Sequence, residues 1–204
     1  MDYSRHRIPS VQATFRENFN SMTSKFSFQP VLSSKTISIR PVIESDYDGL
    51  YACASDKKLW EGHPAKDRYK AAEFKTWFKN ALDSHATIVV IDNFTDKLIG
   101  SSRFYIEDSA SDDIAIGFTF IARQYWGGKT NVELKSLMLN YAFDYFSVVW
   151  FHVSPTNIRS QKATEKIGAL FTHQSDSTIS GKSEPWMFYK IEKSDWLSLV
   201  KTKN

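Results

Sequence analysis

The chain has 204 residues, of which 42% are hydrophobic and 15% aromatic, and this suits one globular domain with a substantial core. The net charge is only +3 and no basic run of nucleic-acid type occurs, which argues against a nucleic-acid-binding protein. The single cysteine, Cys53, excludes an internal disulfide and a cysteine-based zinc site, and it suits a small buried apolar role better than that of an acyl-carrying nucleophile.

The N-terminal region shows no strong targeting signal. No apolar run reaches the ~18 residues of a membrane span, and no apolar signal core follows Met1. We therefore expect a cytoplasmic protein with no membrane partner. Residues 1–30 are predicted to form an arm, with one short helix, ahead of a single domain at residues 31–204. The arm is expected to be held on the domain by its phenylalanines, Phe15, Phe19, Phe26 and Phe28.

The first half of the domain is predicted to contain one strand, two helices and an antiparallel meander. Alternating apolar residues predict the first strand, which Pro41 ends. The second helix has its apolar residues spaced i, i+3, i+4 and i+7. The predicted elements are a strand at 36–41, a helix at 47–54, a loop at 59–64, a helix at 71–84, and strands at 87–91, 97–106 and 114–121.

The second half is predicted to alternate helices and strands. Its elements are a helix at 130–147, a strand at 148–153, a helix at 158–167 ended by Gly168, strands at 169–174 and 186–191 around a polar loop at 175–185, and a helix at 194–200. This order predicts an α/β protein with a mixed, largely antiparallel sheet and helices on both faces. The long helix would form a right-handed βαβ crossover.

A glycine turn precedes the long helix. Gly127 and Gly128 lack side chains, so the backbone can approach an anion such as a diphosphate closely. The first turn of a helix also offers unpaired N–H groups and the positive end of its dipole. The N–H groups of Gly127–Asn131 are therefore candidate anion ligands. As an alternative, Thr130 and Glu133 have the spacing of a capping box, which would satisfy the same donors internally.

Four segments between Thr36 and Ile191 share the order and spacing of motifs from one known family. They are Ile39-Arg40-Pro41 for its LRP, Ile116-Gly117-Phe118 for its IGY or IGF, Tyr125–Glu133 for its YWGKGYATE, and Asn157–Ser160 with Glu165–Ala169 for its NxxSxxxxEKxGF. The chain thus resembles the GNAT superfamily of acetyl-CoA-dependent N-acetyltransferases. It is most similar to the branch that acetylates ribosomal-protein and other N-terminal amines.

This resemblance implies a GNAT-like fold in which a central parallel strand pair splays apart. Gly117 would mark the bulge that starts the splay, and the pantetheine arm of acetyl-CoA would lie in the gap as an extra strand does. Asn157 would lie beside that arm, although a helix N-cap is an alternative role. The implied cofactor-binding residues are Thr119, Phe120, Ile121, Trp126, Gly127, Gly128, Lys129, Thr130, Asn131, Asn157 and Ser160.

The chain departs from the family pattern at several functional positions. Lys129 replaces a glycine of the phosphate loop, where its side chain could either crowd the diphosphate or pair with it. Thr164 stands where many members have a tyrosine acid, and Ala115 stands where they have a glutamate. Trp126 and Asn131 also replace the usual loop residues. The resemblance therefore supports acetyl-CoA binding more strongly than it supports any one proton-transfer residue.

The expected chemistry is attack of a neutral amine on a thioester, without a metal. At pH 7, neutralising an α-amine costs roughly 1 kcal/mol and neutralising a lysine roughly 4.6 kcal/mol, so only the lysine needs a strong base. His152, on the strand that flanks the splay, is the first candidate base. Glu61 and His63 border the expected amine entrance, and Ser154 could protonate the leaving thiolate. Each also has a purely structural alternative, in the core or in a solvated loop.

The sequence therefore predicts an N-acetyltransferase that moves acetyl from acetyl-CoA to a primary amine by direct attack in a ternary complex. The expected acceptor is a protein N-terminus or a small-molecule amine such as a polyamine, an amino acid or an amino sugar. The rival class is a non-catalytic acyl-CoA-binding or protein-interaction domain of the same fold. A homodimer is left open.

Overall fold

A computed structural model describes residues 25–107 and 113–201. Within these residues, eight strands form one mixed sheet in the order β1-β2-β3-β4-β5-β6-β8-β7. The strands are β1 (Leu32–Ser33), β2 (Ile37–Pro41), β3 (Thr87–Asp92), β4 (Lys97–Tyr105), β5 (Ile114–Ile121), β6 (Val148–Val153), β7 (Leu170–Ser177) and β8 (Glu184–Glu192).

Helices cover both faces of this sheet, as the sequence predicts. They are α1 (Tyr47–Ala54), α2 (Ala71–Asp83), α3 (Thr130–Ala142), α4 (Ile158–Lys166) and α5 (Lys193–Lys201). Apolar side chains of α3 and α5 pack in one buried cluster, and those of α1 and α2 pack in a second cluster across the sheet. The two faces are called the α3 face and the α2 face below.

The parallel pair β5 and β6 is joined over only two residue pairs. Ile114 pairs with Val149 and Ala115 with Trp150, and no later residue of either strand pairs with the other. Beyond this point β5 continues beside β4, and β6 continues beside β8. The gap between Ile116–Ile121 and Phe151–Val153 is called the fork. The predicted splay is therefore present, and β3, β4 and β5 form the predicted antiparallel meander.

A bulge in β5 lies at the start of the fork. Ser101 pairs with Phe120 and Arg103 with Gly117, so Phe118 and Thr119 together oppose the single residue Ser102. Phe118 has a φ of 52°, which an L side chain adopts only under strain. The bulge includes the residue after Gly117, as the family resemblance implies for the start of a splay.

Gly100 of β4 lets β5 approach closely at the bulge. A Cβ placed on Gly100 would lie 2.2 Å from the carbonyl oxygen of Phe120, a distance that real carbon atoms do not reach. The contact is with backbone, which cannot rotate out of the way. Glycine is therefore required here by close approach rather than by a positive φ.

The largest differences from the predicted elements are at the end of α3, at the loop between β7 and β8, and at β1. Helix α3 ends at Ala142 rather than Ser147, because a turn carries Phe143 and Phe146 into the core. Strand β7 extends to Ser177 and strand β8 begins at Glu184, so the polar loop between them is shorter than predicted. Cross-strand pairing outweighs the low β propensity of the residues at the two ends of this loop. Strand β1 was not predicted, and two residues are too short to give a periodic signal.

The described part of the arm packs on the α3 face. Phe26 is buried and makes ring contacts with Phe104, Tyr141 and Phe146 at centroid distances of 5.2, 5.0 and 5.0 Å. Phe15 and Phe19, and the short helix predicted near them, lie outside the described residues. In the described ranges, no helix is both long and apolar enough to cross a membrane.

Candidate active site

A cavity of about 930 Å³ lies at the fork. Most of the site residues predicted from the sequence line it, so the fold brings together positions from five separate parts of the chain. These lining residues are His63, Thr119, Phe120, Ile121, Trp126, Gly127, Gly128, Asn131, His152, Ser154, Asn157 and Ser160. Three predicted residues, Glu61, Lys129 and Thr130, are not part of the lining.

The glycine turn presents open backbone to the cavity. Gly127 has a φ of 74°, and a Cβ there would meet no atom within 4 Å, so its conformation rather than crowding favours glycine. Gly128 does not have a positive φ, and a Cβ there would make only an ordinary contact at 3.8 Å with the carbonyl oxygen of Tyr125. Lys129 is exposed, so its side chain does not fill the space beside the glycines.

The capping-box alternative for this turn is wrong. The N-cap position of α3 is Lys129, whose side chain makes no capping hydrogen bond. Glu133 instead accepts hydrogen bonds from the hydroxyl groups of Ser34 and Thr36 and from the backbone N–H of Thr36, and thereby ties the β1–β2 turn to α3. Within the described part of the chain, no side chain accepts from the first N–H groups of α3, which remain available to an anion.

A clamp of side chains crosses the cavity mouth beside the turn. The indole N–H of Trp126 donates to the carbonyl oxygen of Ile121 at 2.8 Å. The guanidinium of Arg159 stacks on the Trp126 ring at 3.9 Å and donates to the carbonyl oxygen of Leu59 at 3.0 Å. These contacts join the glycine turn, the start of α4 and the loop after α1.

Asn157 caps α4 and also lines the cavity. Its side-chain oxygen accepts from the backbone N–H of Ser160 at 3.2 Å, so the structural alternative weighed for it is correct. It is nevertheless only 7% exposed and faces the same cavity as Thr119–Ile121 across the fork. Its side-chain NH₂ has no acceptor among the described residues, which leaves it free to bond a ligand.

The two cavity histidines are neutral near pH 7. Burial lowers the pKa of His152 to about 4, and the charge of His173 adds to this effect. Burial, with the charges of Arg68 and Arg159, lowers the pKa of His63 to about 3. His63 Nδ1 already accepts from the N–H of Ala65 at 2.9 Å. Both rings are therefore weaker proton acceptors than an unperturbed histidine.

His152 is held by a buried tyrosine rather than by backbone. Its Nδ1 lies 2.8 Å from the hydroxyl of Tyr105. Burial raises the pKa of Tyr105, so this hydroxyl keeps its proton and donates to the neutral ring. His152 also packs on Phe188 at a centroid distance of 4.5 Å. The ring is thus fixed in place on the α2 face of β6.

The other predicted catalytic residues differ in position. Ser154 lines the cavity, and its hydroxyl lies 3.1 Å from that of Thr156. Glu61 is exposed and lies outside the lining, so the geometry gives it no contact with a reacting group. Cys53 donates to the carbonyl oxygen of Leu98 at 3.0 Å, and burial raises the pKa of its thiol to about 11, which makes it unreactive.

Comparison with known proteins agrees with this geometry. A family model described as an acetyltransferase (GNAT) domain matches residues 36–170, which is more than half of the chain. This chain belongs to the GNAT acetyltransferase family. Enzymes of this family transfer acetyl from acetyl-CoA to amines. No curated protein matches the chain at a significant level.

Solved GNAT structures share the fold at low sequence identity. A GCN5-related N-acetyltransferase from Brucella melitensis has a TM-score of 0.73 at 20% identity, with 87% of each chain covered. A putative ribosomal-protein-serine acetyltransferase from Vibrio cholerae has a TM-score of 0.67 at 12% identity, covering 82% of this chain and 99% of the other. A spermidine N-acetyltransferase from Vibrio cholerae, solved with CoA and spermine, has a TM-score of 0.60 at 16% identity, covering 80% and 99%.

Sequence reasoning missed a buried lysine in the cavity of this GNAT enzyme. Lys135 of α3 is 6% exposed, and its Nζ donates to the hydroxyl of Thr119 at 2.7 Å. A weaker contact of 3.4 Å reaches the hydroxyl of Ser102, which lies 2.7 Å from that of Thr119. Burial lowers the pKa of Lys135 to about 7. In the sequence Lys135 looks like a polar position of an amphipathic helix, and only the fork reveals that it faces the bulge.

Sequence reasoning also missed two arginines on the opposite, α2 face. Arg68 lies in the loop before α2 with its guanidinium 5.0 Å from the Trp60 ring and 5.8 Å from the Trp77 ring. Arg103 of β4 lies 4.5 Å from the Phe118 ring. Both line the cavity. They are 35 positions apart in the chain, so no local pattern predicts that they meet.

The cavity of this GNAT enzyme therefore has two distinct sides. One side, called the cofactor wall after the role proposed for it below, consists of Thr119–Ile121, Gly127, Gly128, Asn131 and Asn157. The other side, called the acceptor wall after its proposed role, consists of Arg68, Trp77, Arg103, Tyr105 and His152. Trp186 also lines the cavity, whereas Trp60 is buried and its indole N–H donates to the carbonyl oxygen of Ala54.

Proposed function

We propose that this enzyme transfers acetyl from acetyl-CoA to a primary amine by direct attack within a ternary complex, through the residues of the two walls. The observation that carries the proposal is the fork: β5 and β6 separate after Ala115 and Trp150, and an uncapped glycine turn lies at its open end. A thioester with a diphosphate tail is a ligand that matches both features.

In the proposed complex, the diphosphate lies against the N–H groups of Gly127–Asn131, where the helix dipole and open donors favour an anion. The pantetheine arm then follows Thr119–Ile121 as an added strand, since the backbone of that segment has no partner on β6. Asn157 offers its free NH₂ to the same arm. This direction brings the thioester to the closed end of the fork, beside Gly117 and Phe118.

The bulge supplies the group that would stabilise the reaction's oxyanion. The regular register of β4 and β5 is interrupted at Phe118 and Thr119, and in the proposed complex a backbone N–H of this bulge donates to the thioester carbonyl. Donors fixed in place before the reaction lower the barrier because they need not reorganise as the charge develops. The strained φ of Phe118 is consistent with a position held for function.

Proton transfer needs no strong base in this site. The amine nitrogen attacks the carbonyl carbon, the C–N bond forms as the C–S bond breaks, and the CoA thiolate leaves. The amine loses one proton to solvent, and the thiolate gains one from solvent or from the hydroxyl of Ser154. The low pKa values of His63 and His152 make them positioning groups rather than bases. An acceptor that arrives neutral suits this arrangement.

Two structural neighbours are named for different acceptors, spermidine in one and a ribosomal-protein serine in the other. At identities of 12% and 16% they share the fold with this chain, and their acceptors differ from each other.

The proposed function is tested by placing a charge at the diphosphate position. Gly128 tolerates a side chain sterically, so Gly128→Asp adds a carboxylate there and Gly128→Asn is its neutral, isosteric control. We expect Gly128→Asp to weaken acetyl-CoA binding about tenfold or more relative to Gly128→Asn, because like charges repel in a partly desolvated site. Isothermal titration calorimetry measures both constants.

Two outcomes would overturn the proposal. One is the absence of acetyl-CoA binding by the unmodified protein at millimolar concentration, and the other is equal binding by the two Gly128 variants. Thiol release from acetyl-CoA with a panel of primary amines separates transfer from binding alone, since a protein that only binds acyl-CoA releases no thiol.

A further inference from the structure

We propose that the acceptor carries an anionic group, a carboxylate or a phosphate, on the same molecule as its amine, and that Arg68 and Arg103 bind this group. The inference rests on the proposed function, which it deepens by naming the acceptor's chemical class. It concerns the acceptor wall alone and uses no residue of the cofactor wall.

Arg68 has no polar partner among the described residues. Its guanidinium makes no hydrogen bond and no ion pair with them, and its contacts are the faces of Trp60 and Trp77. Burial, with a smaller contribution from the charge of Arg103, lowers the pKa of Arg68 to about 10, while the charge of Glu73 opposes the effect without contact. A guanidinium that is half-buried with its donors unused is ready to bind an anion.

Arg103 has only neutral partners. Its Nε donates to the hydroxyl of Thr87 at 2.8 Å, and one Nη is 3.4 Å from the carbonyl oxygen of Asn80. These bonds fix the side chain, and burial lowers its pKa. Arg68 lies against the ring of Trp77, and Arg103 bonds the carbonyl oxygen of Asn80 one turn further along α2, so both charges line the same wall. Two half-buried cations without a counter-ion are costly, and an anionic ligand would offset that cost.

The position of these arginines matches the acceptor rather than the cofactor diphosphate. Arg103 pairs with Gly117, at the closed end of the fork. The glycine turn follows Ile121, four residues further along β5, which corresponds to about 13 Å of strand. A single anion cannot contact both places. The arginines therefore lie next to the expected thioester, where the acceptor must sit.

The charge balance of the whole cavity points the same way. Among the described lining residues the only carboxylate is Glu184, and it already pairs with Lys182 at 3.3 Å. The remaining charged lining residues are all basic, namely Arg68, Arg103, Lys135 and Arg159. This field repels a polycation such as a polyamine and attracts an anion. It also lowers the pKa of the acceptor's own amine, which then reaches the thioester neutral.

The test compares amines that differ only in an anionic group. The pairs are β-alanine with propylamine and O-phosphoethanolamine with ethanolamine, with putrescine as the polycationic case. Rates of thiol release are compared after correction for the neutral fraction of each amine. We expect kcat/KM for the anionic member of at least one pair to exceed that of its neutral partner by about tenfold or more, and putrescine to be the poorest acceptor.

Variants of the acceptor wall locate the effect. Arg68→Gln and Arg103→Gln should each raise KM for the anionic amine about tenfold, with kcat/KM for the neutral partner changed less than about threefold. Arg68→Lys keeps the charge and should restore part of the preference. Lys79→Gln is the control, because Lys79 is exposed on α2, lies outside the cavity lining and pairs only with Asp83.

Three results would overturn the inference and are separable from failure of the proposed function. The first is equal or better use of the neutral amines by the unmodified enzyme. The second is that the arginine variants bind acetyl-CoA more weakly than wild type but bind 3′-dephospho acetyl-CoA as well as wild type does. That result would assign the arginines to the cofactor. The third concerns the case in which no amine is acetylated, where β-alanine and propylamine are instead titrated onto CoA-loaded protein. Equal affinity for the two amines would then overturn the inference.

Discussion

The cofactor wall of the cavity offers mainly backbone groups, whereas the acceptor wall offers side chains from four separate elements. Apart from Asn157, the cofactor wall comes from one βαβ unit, in which β5, the glycine turn and α3 follow one another directly. The acceptor wall is assembled from the loop before α2, α2 itself, β4 and β6. The geometry of the cofactor wall is set by the point at which β5 and β6 separate. The geometry of the acceptor wall is set by the side chains that the tertiary fold brings together.

This difference separates what every acetyl-CoA user must do from what one acceptor requires. Every enzyme that uses acetyl-CoA binds the same diphosphate and the same pantetheine arm, so backbone donors are sufficient for them. An acceptor is recognised by charge and shape, which only side chains supply. Variants of backbone geometry should therefore affect cofactor binding, and variants of side chains should affect acceptor choice.

The largest effect is expected from Gly100, which shapes the cofactor wall from behind. Gly100→Ala places a Cβ against the carbonyl oxygen of Phe120 and should destabilise the fold by about 3 kcal/mol or more. The displaced β5 should also bind acetyl-CoA about tenfold more weakly. Urea unfolding and calorimetric titration measure the two effects. Gly128→Ala is the control for the stability measurement alone, because its Cβ has room in the fold. A stable, fully binding Gly100→Ala protein would contradict the close approach.

A smaller effect on stability, of opposite sign, is expected from substitution of Lys135, whose ammonium bonds the hydroxyl of Thr119 in the cofactor wall. Lys135→Met removes a buried ammonium and leaves Thr119 and Ser102 bonded to each other, so it should stabilise the fold by on the order of 2 kcal/mol. Since the folded pKa of about 7 lies below the unfolded value near 10.5, wild-type stability should rise as pH rises from 7 to 10.5.

The stabilisation by Lys135→Met should therefore be larger at pH 6.5 than at pH 9.5, as measured by urea unfolding. Lys135→Arg keeps a cation that cannot lose its proton in this range. The difference in unfolding free energy between Lys135→Met and Lys135→Arg should therefore be the same at pH 6.5 and at pH 9.5. A gap between Lys135→Met and wild type that is constant with pH would show that Lys135 does not titrate in the fold.

The smallest effect is expected from His152 on the acceptor wall. His152→Phe keeps a ring against Phe188 and should lower kcat at pH 7.5 less than tenfold, because a histidine with a pKa of about 4 is not the main base. The folded pKa lies below the unfolded value of 6.5, so wild-type stability falls as pH falls from about 6.5 towards 4.

Between pH 7 and pH 5, the free energy of unfolding of His152→Phe should fall by about 1 to 2 kcal/mol less than that of wild type, since phenylalanine takes up no proton on unfolding. Guanidinium unfolding at the two pH values measures this. His173→Gln is a useful comparison, because it removes the neighbouring charge and keeps the His152 ring. A loss of kcat by more than a thousandfold in His152→Phe would restore His152 as the base.

The sequence predicted which backbone segments line the fork, because the determinants of these segments are local. Apolar periodicity located β5 and β6, and Gly127 and Gly128 marked the turn, since each of these signals lies within about ten residues of chain. The acceptor wall could not be predicted in this way, because only the tertiary fold brings Arg68, from the loop before α2, and Arg103, from β4, to one cavity. Lys135 was missed for a related reason: helical periodicity marks it as polar, and burial depends on the fork beneath it.

Local pattern also misjudged the first turn of α3. Thr130 and Glu133 have capping-box spacing, yet Glu133 bonds Ser34 and Thr36 from a segment about a hundred residues away. A short-range motif competes with tertiary partners that the sequence does not display. The same competition ended α3 at Ala142, where burial of Phe143 outweighed the continued helical pattern.

Because only two residue pairs join β5 to β6, the sheet is nearly two sheets, with five strands on one side of a short seam and three on the other. In the proposed complex the pantetheine arm lies along this seam and adds a strand that the polypeptide does not provide. The mechanical continuity of the sheet would then be shared between the enzyme and its own reactant, and would be renewed with each molecule of acetyl-CoA.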